Sequence, residues 1–144
     1  MAQYDRKCIS ESVNRFLENL YFLEREEEEK FGLTRDEIYL LQKIALDPEL
    51  RVTDLAKKMR TKVFVVSRML NKLENLELVQ RTNSRKDKRS YTFCITNGGI
   101  EKINDIEEYS NEVLVARLEA IPNDELSIIL SVLDDFGTIL KKPD

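Results

Sequence analysis

The sequence predicts a mainly α-helical protein with one small β-hairpin, an α+β fold, and three observations lead to this prediction. Apolar residues recur at steps of three and four over long stretches at both ends of the chain, which is the spacing of amphipathic helices. In the middle, two short helical patterns follow each other closely. After Leu76 the apolar pattern changes to a period of two, which is typical of strands. With 144 residues, 42% of them hydrophobic, the chain is long enough for one domain with a buried core.

The N-terminal part is predicted to form two helices. The first runs from about Asp5 towards Lys30. Its apolar stripe consists of Ile9, Val13, Phe16, Leu17 and Leu20. Thr34, with Glu37 three residues later, forms a capping box that begins the second helix. Pro48 ends that helix, because a residue before proline is biased away from helical dihedral angles.

Two short helices joined by a tight turn come next, a pairing that is typical of a helix-turn-helix. Thr53 is expected to cap the first of them and Thr61 the second, which reaches about Asn75. The inward residues of the second short helix are Val66, Met69, Leu70 and Leu73. A strand is then predicted at 78–82, with its partner at 91–95. The polar, charged loop that connects the two strands is too long for a tight turn, so we interpret it as a basic wing.

Two more helices complete the chain. Thr96 is expected to cap a long helix that ends before Pro122, and Asn123 to cap the last helix. The stripe of the last helix consists of Leu126, Ile129, Leu130, Leu133, Phe136 and Leu140. Because a helix must bury its apolar stripe, we expect the terminal helices to pair in a dimer. The prediction is a winged helix-turn-helix in a single domain over 1–144, with a DNA-binding lobe at 34–96 and a helical dimerisation region at 1–33 and 97–144.

Charge is distributed unevenly along the chain. The whole protein carries 23 basic and 27 acidic residues, a net charge of −4. The stretch from Arg51 to Arg89, called the basic block below, has 12 basic and four acidic residues, a local charge of +8. A basic block within an acidic protein favours a nucleic-acid partner, here double-stranded DNA.

Other features exclude classes of function. The chain has no histidine, so it lacks an imidazole base or metal ligand, and it has no phosphate-binding glycine loop. We expect neither an enzyme nor a metal or other cofactor. Cys8 and Cys94 are too far apart in sequence to suggest a zinc site or a disulfide scaffold, and no apolar run is long enough to span a bilayer. These features predict a cytoplasmic protein with no membrane partner.

The second short helix has an outward face that suits the major groove of DNA. Its members are Lys62, Phe64, Val65, Arg68 and Lys72. Arg68 is expected to contact guanine or phosphate, the two lysines to anchor phosphates, and Phe64 and Val65 to meet thymine methyl groups. The pattern leaves it equally open that Phe64 and Val65 belong to the core.

The wing carries a second set of candidate DNA contacts. Its cations are Arg85, Lys86, Lys88 and Arg89. We expect them to reach the backbone or the minor groove of DNA, although a solvated hairpin is the alternative. Asp87 is the one acid of this loop, and we expect it to order the wing, with an ion pair to Arg89 or another arginine as the means.

Several short motifs occur in a fixed order along the chain. They are Asp54-Leu55-Ala56-Lys57-Lys58-Met59, Val66-Ser67-Arg68, Leu73-Glu74, Leu78-Val79-Gln80-Arg81, Asp87-Lys88-Arg89 and Thr96-Asn97-Gly98-Gly99. In this order and spacing the chain resembles the multiple-antibiotic-resistance regulator (MarR) family of winged-helix transcription factors. The resemblance implies a homodimer that binds a pseudo-palindromic operator, with Ser67 and Arg68 on the recognition helix. We count Thr61, the expected cap of that helix, among the candidate DNA contacts as well. It also matches Asp87 and Arg89 to the acid-x-arginine signature of the family's wing.

The resemblance has departures and further implications. Family members often carry glycine where this chain has Arg60 and Glu77, and a left-handed Glu77 would be strained by about 1 kcal/mol, unless Asn75 ends the helix instead. A small apolar or phenolic effector is implied. Its candidate pocket residues are Tyr21, Phe22, Tyr39 and Tyr109, although aromatic residues at helical spacing are more often part of the core. Cys8 lies roughly where one branch of the family carries a peroxide-sensing thiol. That branch holds its thiol with tyrosines, and Ser12 and Phe22 stand at about the expected spacings here, which favours an inert thiol.

The leading hypothesis is thus a dimeric DNA-binding repressor that responds to a ligand or to oxidation. The alternative is a winged-helix interaction module whose basic face binds an acidic protein partner. The two hypotheses differ in whether a palindromic duplex is preferred over scrambled DNA of equal length.

Overall fold

The computed structural model describes residues 4–141, which divide into two compact units between Ile106 and Glu107. Each unit is described by itself. The described elements, in chain order, are α1 (Arg6–Phe31), α2 (Arg35–Leu46), α3 (Val52–Lys58), α4 (Val63–Asn75), β1 (Val79–Asn83), β2 (Tyr91–Ile95), α5 (Asn97–Leu118) and α6 (Asn123–Leu140). This arrangement confirms the predicted fold class, a mainly helical winged helix-turn-helix with one small antiparallel sheet.

Helix α1 begins and ends at residues that suit helix termini. The Asp5 carboxylate accepts the backbone N–H of Lys7 at 2.7 Å, and Gly32 ends the helix in the left-handed conformation with φ +70°. Near this end, the Glu27 carboxylate is buried and lies 2.5 Å from the guanidinium of Arg35. This ion pair connects α1 to the first residue of α2.

Helix α2 has the predicted capping box. The Thr34 hydroxyl accepts the backbone N–H of Glu37 at 3.2 Å, and the Glu37 carboxylate accepts the backbone N–H of Thr34 at 2.9 Å. The helix ends at Leu46, and its C-cap Asp47 immediately precedes Pro48, as predicted. Its buried apolar residues are Ile38, Leu40, Leu41 and Ile44.

The predicted caps of α3 and α4 are wrong by one or two residues. Helix α3 is preceded by Arg51 rather than capped by Thr53, and the Asp54 carboxylate accepts the backbone N–H of Arg51 at 3.1 Å. Helix α4 is preceded by Lys62 rather than Thr61, with no side-chain cap. Thr61 still belongs to the turn, because its backbone N–H bonds to the carbonyl of Ala56 at 3.0 Å and closes α3.

The hairpin pairs β1 with β2 in antiparallel register, from Val79 opposite Ile95 to Asn83 opposite Tyr91. Both strands lie where the alternating pattern predicted them, with β1 shifted by one residue. Buried residues of this hairpin join the core that the helices of the first unit share. That core contains Leu33, Ile38, Leu40, Leu41, Ile44, Leu55, Ala56, Val66, Met69, Leu70, Leu73, Leu78, Val79, Phe93 and Ile106.

Helix α5 begins as predicted and α6 does not. The Thr96 hydroxyl accepts the backbone N–H of Gly99 at 3.0 Å and donates to the carbonyl of Glu77 at 2.6 Å, so it caps α5 and connects it to the segment before β1. Helix α6 is preceded by Pro122, and Asn123 is its first residue rather than its cap. Proline suits this place because a helix leaves its first N–H groups without partners.

Candidate nucleic-acid interface

The turn between α3 and α4 is built without glycine. Arg60 takes the left-handed conformation with φ +52°, directly after the Met59 cap of α3. The N–H groups that follow α3 are bonded inside the turn, since those of Met59, Arg60 and Thr61 reach the carbonyls of Leu55, Lys57 and Ala56. The two short helices therefore form the predicted helix-turn-helix, with strain located at Arg60.

The inner face of α4 is buried as the sequence predicted, and the remaining side chains divide into two groups. The four inward residues Val66, Met69, Leu70 and Leu73 are buried. Phe64 is 59% exposed, so it does not belong to the core. Val65 is half-buried and packs against the core. Arg68 and Lys62 are exposed, and the Lys62 ammonium lies 5.9 Å from the centre of the Phe64 ring. Thr61 and Ser67 are half-buried.

Lys72 has a protein partner. Its ammonium lies 2.6 Å from Oε2 of Glu37, the buried carboxylate of the α2 capping box. The expectation that Lys72 anchors a phosphate stays a prediction, and the structure adds a competing contact. Glu37 and Lys72 share a cleft of about 330 Å³ with three further residues of α4, namely Val65, Arg68 and Met69.

The wing is ordered by hydrogen bonds to its own backbone. The buried Ser84 hydroxyl accepts the N–H groups of Lys86 and Asp87, both at 3.3 Å, and the backbone N–H of Ser84 bonds to the carbonyl of Ser90 at 3.0 Å. The Asp87 carboxylate accepts the backbone N–H of Arg89 at 2.9 Å. Within the described residues no ion pair of Asp87 with an arginine forms, so Asp87 acts by a different means from the expected one.

The cations of the basic block fall into two groups. Four of the 12 have an acidic partner, in the pairs Arg51–Asp54, Lys72–Glu37, Arg81–Glu74 and Lys86–Glu49. The other eight have no salt bridge among residues 4–141. They are Lys57, Lys58, Arg60, Lys62, Arg68, Arg85, Lys88 and Arg89. The first unit therefore keeps most of the positive charge of the block available for an external anion.

Arg81 is a further residue of this site, and no sequence motif singles out its side chain as a link between elements. Its guanidinium lies over the rings of Tyr91 and Phe93, with centroid distances of 5.3 and 5.6 Å, and 3.5 Å from the carboxylate of Glu74. Since Glu74 is on α4, Arg81 connects that helix to the hairpin. The contact with the rings depends on the register that places Arg81 opposite Phe93, and the contact with Glu74 depends on how α4 packs beside β1, so neither follows from local sequence patterns.

The remaining predicted features are the Cys8 thiol and the four aromatic residues of the expected effector pocket. Cys8 is an exposed free thiol in the first turn of α1. The aromatic rings of Tyr21, Phe22 and Tyr39 are exposed, and Tyr109 is half-buried.

Among residues 4–141, no helix has both the length and the apolar character that crossing a bilayer requires, and no cluster of acidic and cysteine side chains offers a metal site.

Comparisons with known proteins agree with this geometry. The family model described as MarR family matches residues 33–91, which run from two residues before α2 to the first residue of β2. The transcriptional repressor MdtR of Bacillus subtilis is 26% identical over 98 residues, which cover 68% of this chain and 63% of MdtR. The transcriptional regulator SarR of Staphylococcus aureus is 31% identical over 91 residues, 59% of this chain and 79% of SarR. The matched part of this chain is thus just under two thirds of the length of MdtR.

Solved structures share the fold over nearly the whole chain. MepR of Staphylococcus aureus superposes with a TM-score of 0.75 at 16% identity and covers 96% of this chain and all of MepR. YusO of Bacillus subtilis gives 0.77 at 20% identity, with 94% and 99% of the two chains covered. FabT of Streptococcus pneumoniae, solved in complex with DNA, gives 0.74 at 18% identity, with 94% and 97% covered. The helix-turn-helix, the ordered wing and the similarity to SarR together show that the chain belongs to the MarR family.

Proposed function

We propose that this protein is a sequence-specific double-stranded DNA-binding transcription regulator that acts as a homodimeric repressor on a pseudo-palindromic operator. The observation that carries the proposal is the exposed outer face of α4, in the same compact unit as a wing whose cations are mostly free of ion pairs. Cationic side chains without a protein partner release counterions when they neutralise phosphates, and this release drives DNA association.

The N-terminal half of α4 supplies the proposed base contacts. Arg68 is exposed and has no ion pair among the described residues, so its guanidinium is available to bind both acceptors of a guanine edge. Phe64 and the accessible part of Val65 suit thymine methyl groups. Lys62 precedes the helix and is proposed to anchor a phosphate, with Thr61 of the preceding turn and Ser67 of α4 as smaller polar contacts.

The wing supplies the proposed contacts to the adjacent backbone or minor groove. Arg85, Lys88 and Arg89 are exposed and lack acidic partners among residues 4–141. Lys86 lies 3.8 Å from Glu49, but its side chain is 86% exposed, and an exposed ion pair contributes under about 1 kcal/mol. Phosphate therefore competes readily for Lys86. Asp87 contributes by holding the loop that presents these cations.

Unburied apolar stripes support the homodimer. In the first unit, α1 exposes Ile9, Val13, Phe16, Leu17 and Leu20. In the second unit, α6 buries no residue and exposes Ile128, Ile129, Leu130, Val132, Leu133, Ile139 and Leu140. Contiguous exposed apolar surface of this kind marks an interface in a soluble protein. A second copy of the chain covers such stripes with twofold symmetry, which matches the symmetry of a palindromic operator.

The names of relatives support the sign of regulation. MdtR is named a transcriptional repressor, and FabT has been solved bound to DNA. We place the protein in the cytoplasm with the DNA it binds, and we propose no enzymatic role.

A signal is proposed to release the repressor, either a small apolar or phenolic ligand or oxidation of the exposed thiol of Cys8. If peroxide still releases the Cys8→Ser variant from DNA as it releases the wild-type chain, oxidation of Cys8 is not the signal.

The experiment that tests the function is selection of bound fragments from the source genome, followed by titration of one selected duplex and a scrambled duplex of equal length and composition. The proposal expects a preference for the selected duplex of about 10³-fold or more and a steep loss of affinity with salt. Equal affinity for both duplexes would favour the interaction-module alternative, in which the basic face binds an acidic protein.

A further inference from the structure

Glu37 and Lys72, which are 35 residues apart in sequence, form an ion pair that joins α2 to α4. Glu37 lies in the first turn of α2 and is only 7% exposed. Its Oε2 accepts two hydrogen bonds, one from the backbone N–H of Thr34 at 2.9 Å and one from the Lys72 ammonium at 2.6 Å. One buried carboxylate thus contacts both the start of α2 and the last turn of α4.

The position of Lys72 on α4 gives this contact a bearing on DNA recognition. Lys72 follows Arg68 by four residues, so the two side chains lie on neighbouring turns of one face and line the same cleft as Glu37. Both helices also contribute apolar side chains to the shared core, Ile38 from α2 and Leu70 from α4 among them. Apolar packing is non-directional, whereas a charge-assisted hydrogen bond has a preferred length and angle. Among residues 4–141, the ion pair is therefore the directional side-chain contact between these two helices.

We propose that Glu37 is a positioning residue for DNA recognition, which fixes the rotation and axial position of α4 through Lys72. In this role Lys72 is committed to the protein and is not a phosphate ligand. The inference rests on the proposed function, because it assigns the means by which α4 is aimed at the base edges.

The proposal makes a prediction opposite in sign to that of simple electrostatics. Removing the charge of Glu37 takes an anion away from the recognition helix and frees Lys72 for phosphate, so electrostatics alone expects Glu37→Gln to bind all DNA more tightly. Positioning expects the same variant to bind a specific site more weakly, because base contacts require a fixed helix orientation and phosphate contacts do not.

Two substitutions remove the ion pair from opposite sides. Glu37→Gln keeps an oxygen for the Thr34 N–H, so the capping box survives while the charge is removed. Lys72→Met keeps the length and helix propensity of the side chain, and its site is 42% exposed, so it tolerates an apolar group. Lys72→Arg preserves the charge. Lys7→Met is a matched control, since it removes a lysine from an exposed ion pair with Glu11.

The test measures equilibrium binding of each full-length variant to a duplex that the wild-type chain selects from a random-sequence library, and to its scrambled counterpart, over a range of salt. Positioning predicts that Glu37→Gln and Lys72→Met each bind the selected duplex about tenfold more weakly, with affinity for the scrambled duplex within about twofold of wild type. The double variant should be no weaker than the weaker single variant. Lys72→Arg and Lys7→Met should stay within about threefold of wild type.

Distinct results would overturn the inference. If Glu37→Gln binds the selected duplex as tightly as wild type, Glu37 does not position α4 for DNA recognition. Lys72→Met that lowers the salt slope by about 0.9 per chain contradicts it as well, since that change identifies Lys72 as a phosphate ligand. Circular dichroism establishes that each variant is folded, and if Glu37→Gln is not, the exposed position 72 carries the test alone. Failure of the wild-type chain to prefer the selected duplex would instead refute the proposed function.

Discussion

The carboxylate of Asp87 accepts the backbone N–H of Arg89 at 2.9 Å, so the one acid of the wing bonds to the backbone of the loop rather than to a cation. The Ser84 hydroxyl supports the same loop by accepting the N–H of Asp87. A carboxylate close to DNA repels phosphate, so a benefit to binding must come from the shape that it gives the wing.

This relationship predicts the effect of Asp87→Ala. If Asp87 orders the wing, its loss weakens binding to a selected duplex by about fivefold to tenfold, although the change removes a negative charge. Asp87→Asn keeps an oxygen acceptor for the Arg89 N–H and is the control, which should bind at least as well as wild type. Fluorescence anisotropy measures both variants. Tighter binding by Asp87→Ala would show that the charge matters more than the loop.

Arg68 and Arg89 are the cations whose loss should reduce operator binding most. Arg68→Ala should weaken binding to the selected duplex by about tenfold to a hundredfold while scrambled DNA is affected little, because a guanine contact contributes about 1–3 kcal/mol of discrimination. Arg89→Ala should weaken both duplexes and lower the salt slope by about 1 per chain, as a phosphate contact does. Arg25→Ala, in an exposed pair with Glu28, is the control. Intact affinity in both Arg68→Ala and Arg89→Ala would refute the assigned roles.

Gly99 has no room for a side chain, whereas its neighbour Gly98 has. A Cβ on Gly99 would overlap the carbonyl oxygen of Leu78 and lie 2.6 Å from Cγ1 of Ile95, while a Cβ on Gly98 would meet its nearest atoms at 3.6 Å. Gly99→Ala should therefore lower the free energy of unfolding by about 2 kcal/mol, and Gly98→Ala should change it by less than about 0.5 kcal/mol. Urea denaturation measures both. Equal stabilities would mean that the start of α5 packs less tightly against the hairpin.

Glu77 adopts φ +58°, the left-handed conformation, where the chain leaves α4. The backbone N–H of Leu78 returns to the carbonyl of Leu73 at 2.9 Å, which is the closing bond of a Schellman motif. Glu77→Gly should raise the free energy of unfolding by about 0.5–1 kcal/mol, because relief of strain exceeds the entropy that glycine adds to the unfolded state. Asn75→Gly is the control, because Asn75 lies inside α4. This change also increases the entropy of the unfolded state but relieves no backbone strain, so it should lower the free energy of unfolding. A less stable Glu77→Gly would contradict the strain at this position.

Much of the fold could be predicted because its signals are local. The capping box at Thr34, the end of α2 before Pro48 and the alternation of 91–95 each depend on residues a few positions apart. The wrong cap of α3 has a physical reason in a more distant contact. Arg51 forms a bridge with Thr92, which extends the backbone directly before α3 and lets that helix begin at Val52.

The site was only partly predictable for the same reason. Its inward and outward faces follow from helical spacing, yet spacing alone could not decide that Phe64 is exposed, since an apolar residue at the edge of a stripe fits either side. The partners of Lys72 and Arg81 lie on other elements, so only the tertiary structure identifies them.

The proposed function requires that two copies of the basic block bind one duplex together. Sedimentation equilibrium of the wild-type chain with a labelled, selected duplex measures this stoichiometry, because the mass of the complex counts the chains. Two 16.9 kDa chains are expected on each duplex, and a dimer is expected in the absence of DNA. A monomer that binds the selected and scrambled duplexes alike, one chain at a time, would contradict it.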